Sequence, residues 1–144
     1  LAMRPLKVLI LQDNPFQLMA LHQMLNTFRV FDVLTAESVE SARRSLAKRG
    51  AIDVAICELF RDEHSGLELI RELATKREAQ ALIILSCAPL HVIDTAMCLA
   101  RKEGLKVLGC LPNPVTPQGL GLMLASYQTP SLCFYDDISY GSAN

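Results

Sequence analysis

No apolar run in these 144 residues approaches the roughly 20 that span a bilayer, so a membrane-crossing helix is not expected. Surplus charge is also missing: Lys+Arg 14 against Asp+Glu 15 leaves a net charge of -1. Nucleic-acid-binding domains are usually strongly basic, so direct nucleic-acid binding is not expected either. The N-terminus lacks the charged, apolar and small-residue succession of a secretory signal. Cysteines stand at 57, 87, 98, 110 and 133 with no C-x-x-C spacing, most of them in apolar strand-like runs where cysteine acts as a small hydrophobe. The expectation is a cytoplasmic, reducing location with free thiols. There is no internal repeat, no low-complexity segment and no glycine-rich phosphate cradle.

What is present is the composition of an ordinary globular domain, 51% hydrophobic and 20% charged. The length suits one domain that needs neither metal nor disulfide to build its core. Short apolar runs alternate with longer amphipathic stretches. The runs are Lys7 to Leu11, Asp32 to Thr35, Val54 to Cys57, Ala81 to Leu85 and Lys106 to Leu111. Most do not alternate with polar residues, which is how strands covered on both faces read. Between and after them, Leu18, Leu21, Leu25 and Phe28 line one helical face, as do Val39, Ala42 and Leu46, then Leu67, Ile70 and Leu73. Ile93, Met97 and Ala100, and finally Leu120, Met123 and Tyr127, repeat the pattern.

The boundary residues agree. Asn14-Pro15 and Thr116-Pro117 each offer a capping side chain followed by proline at the first helical position, and Ser38 opens another helix. Gly50 and Gly104 fall where helices should stop. Five β-α units in strict alternation call for an α/β fold, a doubly wound parallel sheet with helices on both faces. Residues 6–127 form the single domain in this reading. Residues 1–5 precede it, Leu1-Ala2 ahead of Met3 reading as a cloning remnant, and the polar, aromatic-spotted stretch 128–144 reads as a linker or docking strand.

Ligands of open parallel sheets bind beyond the carboxyl ends of the strands. The first strand ends in Gln12-Asp13, the third in Glu58, the fourth in Ser86 and the fifth in Asn113-Pro114. Alternation alone leaves two explanations: a site, or strand ends turning polar as they reach solvent. The order of the motifs favours the site. Leu9-Ile10-Leu11-Gln12-Asp13-Asn14, then Asp53 to Leu59, then Ser65-Gly66-Leu67, then Ile83 to Ala88, then Leu108 to Pro114 together resemble the receiver domain of two-component response regulators. The resemblance covers residues 6 to about 127 and implies a flavodoxin-like (CheY-like) fold with strand order 2-1-3-4-5. Gly104 to Gly109 after Ile84-Leu85-Ser86 is similar to the subset of receivers that precede an EAL-type cyclic-di-GMP phosphodiesterase domain.

Receivers use carboxylates to hold Mg²⁺, an Asp as phosphoryl acceptor, a Ser/Thr and a Lys. The resemblance carries Asp13 onto the second metal-binding acid and Gln12 onto the first. It places Glu58 at the acceptor, Ser86 at the switch hydroxyl, Cys110 at the aromatic switch position and Asn113 at the lysine. Gln12, Glu58, Cys110 and Asn113 depart from the family's residue types. Glutamate displaces the carboxylate by roughly 1 Å, a misplacement that can cost on the order of 100-fold in rate. Loss of the lysine removes a charge-assisted hydrogen bond worth about 1.5–3 kcal/mol. The expectation is a non-catalytic, phosphorylation-independent regulatory module. Glu58 is then either a mimic of the phosphorylated state reaching towards Ser86, or the mark of a dead site.

A weakened Mg²⁺ site would comprise Asp13, Glu58 and the backbone carbonyl of Phe60, with Gln12 neutral beside them. The family's turn at the fifth strand is cis, which carries over to Asn113-Pro114. Protein contact would run through the fourth helix, fifth strand and fifth helix, at Val92, Thr95, Met97, Lys106, Leu108 and Leu122. The expected partners are an attached output domain, a second copy, or a sensor histidine kinase. Two alternatives stand beside this reading: a receiver still phosphorylated at Glu58 with Mg²⁺, and a flavodoxin-like small-molecule-binding module. The absent phosphate cradle weighs against the second, and the lack of a nucleophile–base pair weighs against an enzyme. His22, His64 and His91, expected on a helix, in a loop and at a helix start, lack metal-ligand spacing, and Arg43-Arg44 and Lys76-Arg77 read as solvent-facing. Asp62 lies past the strand end, a poor substitute acceptor.

Overall fold

The structure, a computed structural model, describes residues 5–59, 63–86 and 88–128. Its elements alternate as read from the hydrophobic pattern: β1 (Lys7–Leu11), α1 (Pro15–Thr27), β2 (Asp32–Ala36), α2 (Val39–Arg49), β3 (Ile52–Glu58), α3 (Glu63–Thr75), β4 (Ala79–Leu85), α4 (Leu90–Lys102), β5 (Lys106–Leu111) and α5 (Pro117–Gln128). The strands form one parallel sheet in the order β2-β1-β3-β4-β5. This is the doubly wound flavodoxin-like arrangement. Chain order reverses between β1 and β3, so their carboxyl ends flank the crevice where such sheets place a site.

Alternate residues of each strand face opposite layers. Val8, Ile10, Val54, Ile56, Ala81 and Ile83 pack with Leu21 and Leu25 of α1 and with Leu120 and Leu124 of α5. Leu9, Leu11, Ala55, Cys57, Leu82 and Ile84 pack on the other face with α2, α3 and α4. Both faces are covered, which explains why the central strands read as unbroken apolar runs.

Local chemistry fixes the ends. Asn14 Oδ1 accepts from the N–H groups of Phe16 and Gln17 with Pro15 at the first helical position, and Ser38 Oγ accepts from Ser41 N–H. Thr116 Oγ1 accepts from Gly119 N–H at the start of α5. Gly50, with φ +83, closes α2 in a backbone region that costs other residues energy.

Several sequence expectations need correction. Phe28 does not lie on the buried face of α1: the helix ends at Thr27, and Phe28 is 40% exposed. The third helix starts at Glu63, ahead of Ser65-Gly66, so His64 lies on a helix and not in a loop. Arg43 is not simply solvent-facing; its guanidinium makes two bonds to Glu72, at 2.9 and 2.8 Å, tying α2 to α3. The strand β5 is also irregular. Val107 pairs with Leu82 but Gly109 pairs with Ile83, leaving Leu108 as an extra residue. This bulge puts Val107 and Cys110, three apart, against the same layer. Gly109, with φ +150, absorbs it, and a Cβ there would stand 2.6 Å from Met123 Cε.

Candidate functional site

The carboxyl edge of the sheet brings the expected residues together from three separate strand ends. Gln12 follows β1 and is 1% exposed; Glu58 ends β3; Asn113 follows β5. Glu58 Oε1 accepts one hydrogen bond from Gln12 Nε2 at 2.8 Å and another from Asn113 Nδ2 at 3.1 Å. Gln12 Oε1 in turn accepts from the backbone N–H of Asn14 at 3.1 Å. The orientation of the Gln12 amide follows from this network. Turned over, it would set its oxygen against the Glu58 carboxylate and its NH₂ against the Asn14 N–H.

A continuous line of hydrogen bonds therefore runs from Asn113 through Glu58 and Gln12 to the N-cap of α1. Both groups that bond Glu58 Oε1 are neutral donors. The expected members Gln12, Glu58 and Asn113 are brought together. Asp13 is adjacent in sequence but exposed. Ser86 is 5% exposed at the end of β4, and its Oγ accepts from Ala88 N–H at 2.7 Å. Cys110 is half-buried against the α2–α3–α4 layer. The Asn113-Pro114 peptide is cis. Phe60 and Asp62 lie outside the described residues. Beneath Glu58, burial pushes the Cys57 thiol up to about 12, which makes it inert at neutral pH.

Among the described residues, the groups that bond Glu58 Oε1 are amide donors and not oxygen ligands for a magnesium ion. Mg²⁺ requires oxygen ligands in near-octahedral order. Gln12 and Asn113 direct N–H groups at Glu58, and the remaining Gln12 oxygen is engaged by the backbone. Among the described residues, no three His, Cys, Asp or Glu side chains are gathered as a metal site.

The proposed contact surface is mixed. Val92, Met97 and Leu108 are half-buried against the two core layers, while Thr95, Lys106 and Leu122 are exposed, Leu122 by 73%. Sequence reasoning missed the backbone N–H of Asn14 as a partner of Gln12, although Asn14 itself was legible as a cap. It also missed the pairing of Asp53 with Tyr127 at the opposite edge of the sheet. There Asp53, 7% exposed, accepts from Tyr127 OH at 3.0 Å and from Lys7 N–H at 2.9 Å.

Residues 8–110 match the family described as the response regulator receiver domain. The chain belongs to that family. Among curated proteins, this receiver is 26% identical over 125 residues to the cyclic di-GMP phosphodiesterase RocR of Pseudomonas aeruginosa; the match covers 87% of this chain and 32% of RocR. The receiver thus spans about a third of the length of that relative. Among solved structures, it is similar to a response regulator from Colwellia psychrerythraea, with TM-score 0.71 and 24% identity over 88% of this chain and 99% of that one. It is also similar to a response regulator receiver domain protein from Clostridium thermocellum, with TM-score 0.66 and 27% identity over 90% and 98% of the two chains. A receiver is a regulatory domain of two-component signalling and not itself an enzyme. No helix among the described residues is long and apolar enough to cross a membrane.

Proposed function

We propose that this receiver regulates by protein contact without phosphoryl transfer, with Glu58 at the acceptor position held in place by the amides of Gln12 and Asn113. The observation that carries this reading is the double acceptance at Glu58 Oε1. A phosphoryl acceptor must present a free oxygen to an incoming phosphorus with a cation beside it to balance charge. Here the bonded oxygen is covered from both sides, and the flanking positions carry neutral amides. Longer reach from the extra methylene and the missing lysine act in the same direction.

Glu58 is in this reading a held carboxylate and not a mimic of the phosphorylated state. Its bonds run to Gln12 and Asn113, while Ser86 Oγ is occupied by Ala88 N–H. The coupling surface is the exposed part of α4, β5 and α5, where Thr95, Lys106 and Leu122 are accessible to a second copy or an output domain. The similarity to RocR makes a cyclic-di-GMP phosphodiesterase the output class to test first.

The test is exposure of the purified chain to Mg²⁺ and a small-molecule phosphodonor, followed by intact mass and peptide mapping. The expected result is no adduct beside a receiver control that is modified. A phosphoryl adduct at Glu58 that is lost in Glu58→Gln overturns the proposal and restores a conventional switch.

A further inference from the structure

Two helices cover one face of the sheet, and neither carries a charged residue. The 13 residues of α1 and the 12 of α5 contain no Asp, Glu, Lys or Arg. The helices of the opposite layer all do, from Glu40 and Arg44 on α2 to Glu68 on α3 and Asp94 and Lys102 on α4. A solvent-facing helix normally sets charge on its outer side. On α1 the outer stripe is Phe16, Met19, Ala20, Gln23, Asn26 and Thr27, with Phe16 84% and Met19 62% exposed. Beside the far end of this stripe, between α1 and α5, lies a groove of about 580 Å³ walled by Phe28, Val30, Phe31, Gly121 and Leu124. Phe28 lies against Gly121, where a Cβ would come within 2.9 Å of the ring, so the missing side chain on α5 seats it.

Charge returns only at the two ends of α1, and with opposite sign. Asp13 stands just before the cap Asn14, and Arg29 follows Phe28 at the other end. Both are exposed, and neither forms an ion pair among the described residues.

We propose that this face binds a second copy of the receiver about a two-fold axis, with the two α1 helices antiparallel. That arrangement sets both end charges against complements at once, Asp13 against the partner's Arg29 and Arg29 against the partner's Asp13. A parallel pairing would bring like charges together at each end. The antiparallel register also sets Met19 against the partner's Gln23 and Phe16 against the partner's Asn26, which brings the Phe16 ring to the mouth of the partner's groove. A two-fold interface must be self-complementary, and here knob, groove and both charges lie on one surface. The uncharged stripe meets its own copy without repulsion and offers a charged partner nothing to pair with. The helix is about 20 Å long and two helices side by side are about 20 Å wide, the footprint of a small, reversible interface and not of an obligate one. Thr95, Lys106 and Glu58 stay outside this contact, so it stands or falls apart from the reading of the acceptor position.

The test is sedimentation equilibrium of the full chain at low salt, over a concentration series reaching the millimolar range. A reversible monomer–dimer equilibrium is expected. Arg29→Asp should raise the dissociation constant about tenfold, because it turns two attractive pairs into repulsive ones. Arg29 has φ +65, a backbone region where aspartate is enriched, so the fold is retained, as circular dichroism would check. Asp13→Arg should weaken the dimer by a similar factor, and the exchange variant Asp13→Arg/Arg29→Asp should recover most of the loss. Lys106→Glu, on the α4–β5–α5 surface, should change nothing. A chain that stays monomeric, a dimer indifferent to Arg29→Asp, a dimer lost in Lys106→Glu, or an exchange variant no better than either single one would each overturn the proposal.

Discussion

Replacing Gln12 with glutamate is the sharpest perturbation of the Glu58 network. The wild-type amide donates to Glu58 Oε1 at 2.8 Å from a site only 1% exposed. Gln12→Glu keeps the shape but turns this charge-assisted bond, worth about 1.5–3 kcal/mol, into a contact between two carboxylates. Two carboxylates sharing one site raise the affinity of the pair for a proton. With repulsion added, the expected loss at neutral pH is about 2–4 kcal/mol, a fall in Tm of roughly 8–16 °C at about 4 °C per kcal/mol. The pair's folded pKa lies above its unfolded value. The variant is therefore closest to wild type below the unfolded carboxylate range and loses stability as pH rises through the folded value. Gln12→Met separates the two effects: it removes the donor at a cost of about 1–3 kcal/mol without adding pH dependence. Mg²⁺ should restore Gln12→Glu by mass action, because an acid at 12 joins Asp13 and Glu58, and should leave Gln12→Met unchanged. The assay is thermal unfolding from pH 4 to 8 with and without Mg²⁺. A Gln12→Glu variant within about 1 °C of wild type at every pH would refute the hydrogen-bond assignment.

Three further outcomes follow from other parts of the molecule. Tyr127→Phe removes the hydroxyl that Asp53 accepts, and should cost about 0.5–1.5 kcal/mol by urea unfolding, with Asp53→Ala costing more because Lys7 N–H also loses its acceptor. Cys57 is buried and its thiol pushed up to about 12, whereas Cys98 is exposed; iodoacetamide at mildly alkaline pH should alkylate Cys98 in the native state and Cys57 only on unfolding, read by peptide mass. The bidentate bond from Arg43 holds the Glu72 carboxyl below its ordinary value. This stability is present above the unfolded carboxylate range and is lost as pH falls through the folded value. Both side chains are partly exposed, so Glu72→Gln should cost under about 1 kcal/mol at pH 7, less still in high salt, and nothing measurable in strong acid.

The parts of the fold that were legible in sequence are those set by neighbours in the chain. Asn14-Pro15, Ser38 and Thr116-Pro117 cap helices with their own side chains, and doubly covered strands declare themselves as apolar runs. The strand ends Gln12, Glu58 and Asn113 were visible as a polar edge, but their bonding was not. It joins residues 46 and 55 apart, and either amide can donate or accept until all partners are placed. The β5 bulge left only Gly109 as a sign, and a glycine in a strand marks several possible irregularities. Phe28 fell into register with the apolar face of α1, yet the helix stops one residue earlier and the ring turns to α5. The Asp53–Tyr127 contact spans 74 residues and was hidden because Tyr127 fits the apolar face of α5 on its own and Asp53 stands just ahead of an apolar run.

The most direct measurement is of the two side-chain amides themselves, by nitrogen-resolved magnetic resonance of the labelled chain. The account predicts downfield, slowly exchanging NH₂ protons on Gln12 and Asn113, both collapsing in Glu58→Ala. It further predicts that neither moves when Mg²⁺ and a phosphodonor are added to wild type. Amide signals indifferent to Glu58→Ala, or displaced by Mg²⁺ and phosphodonor, would contradict it.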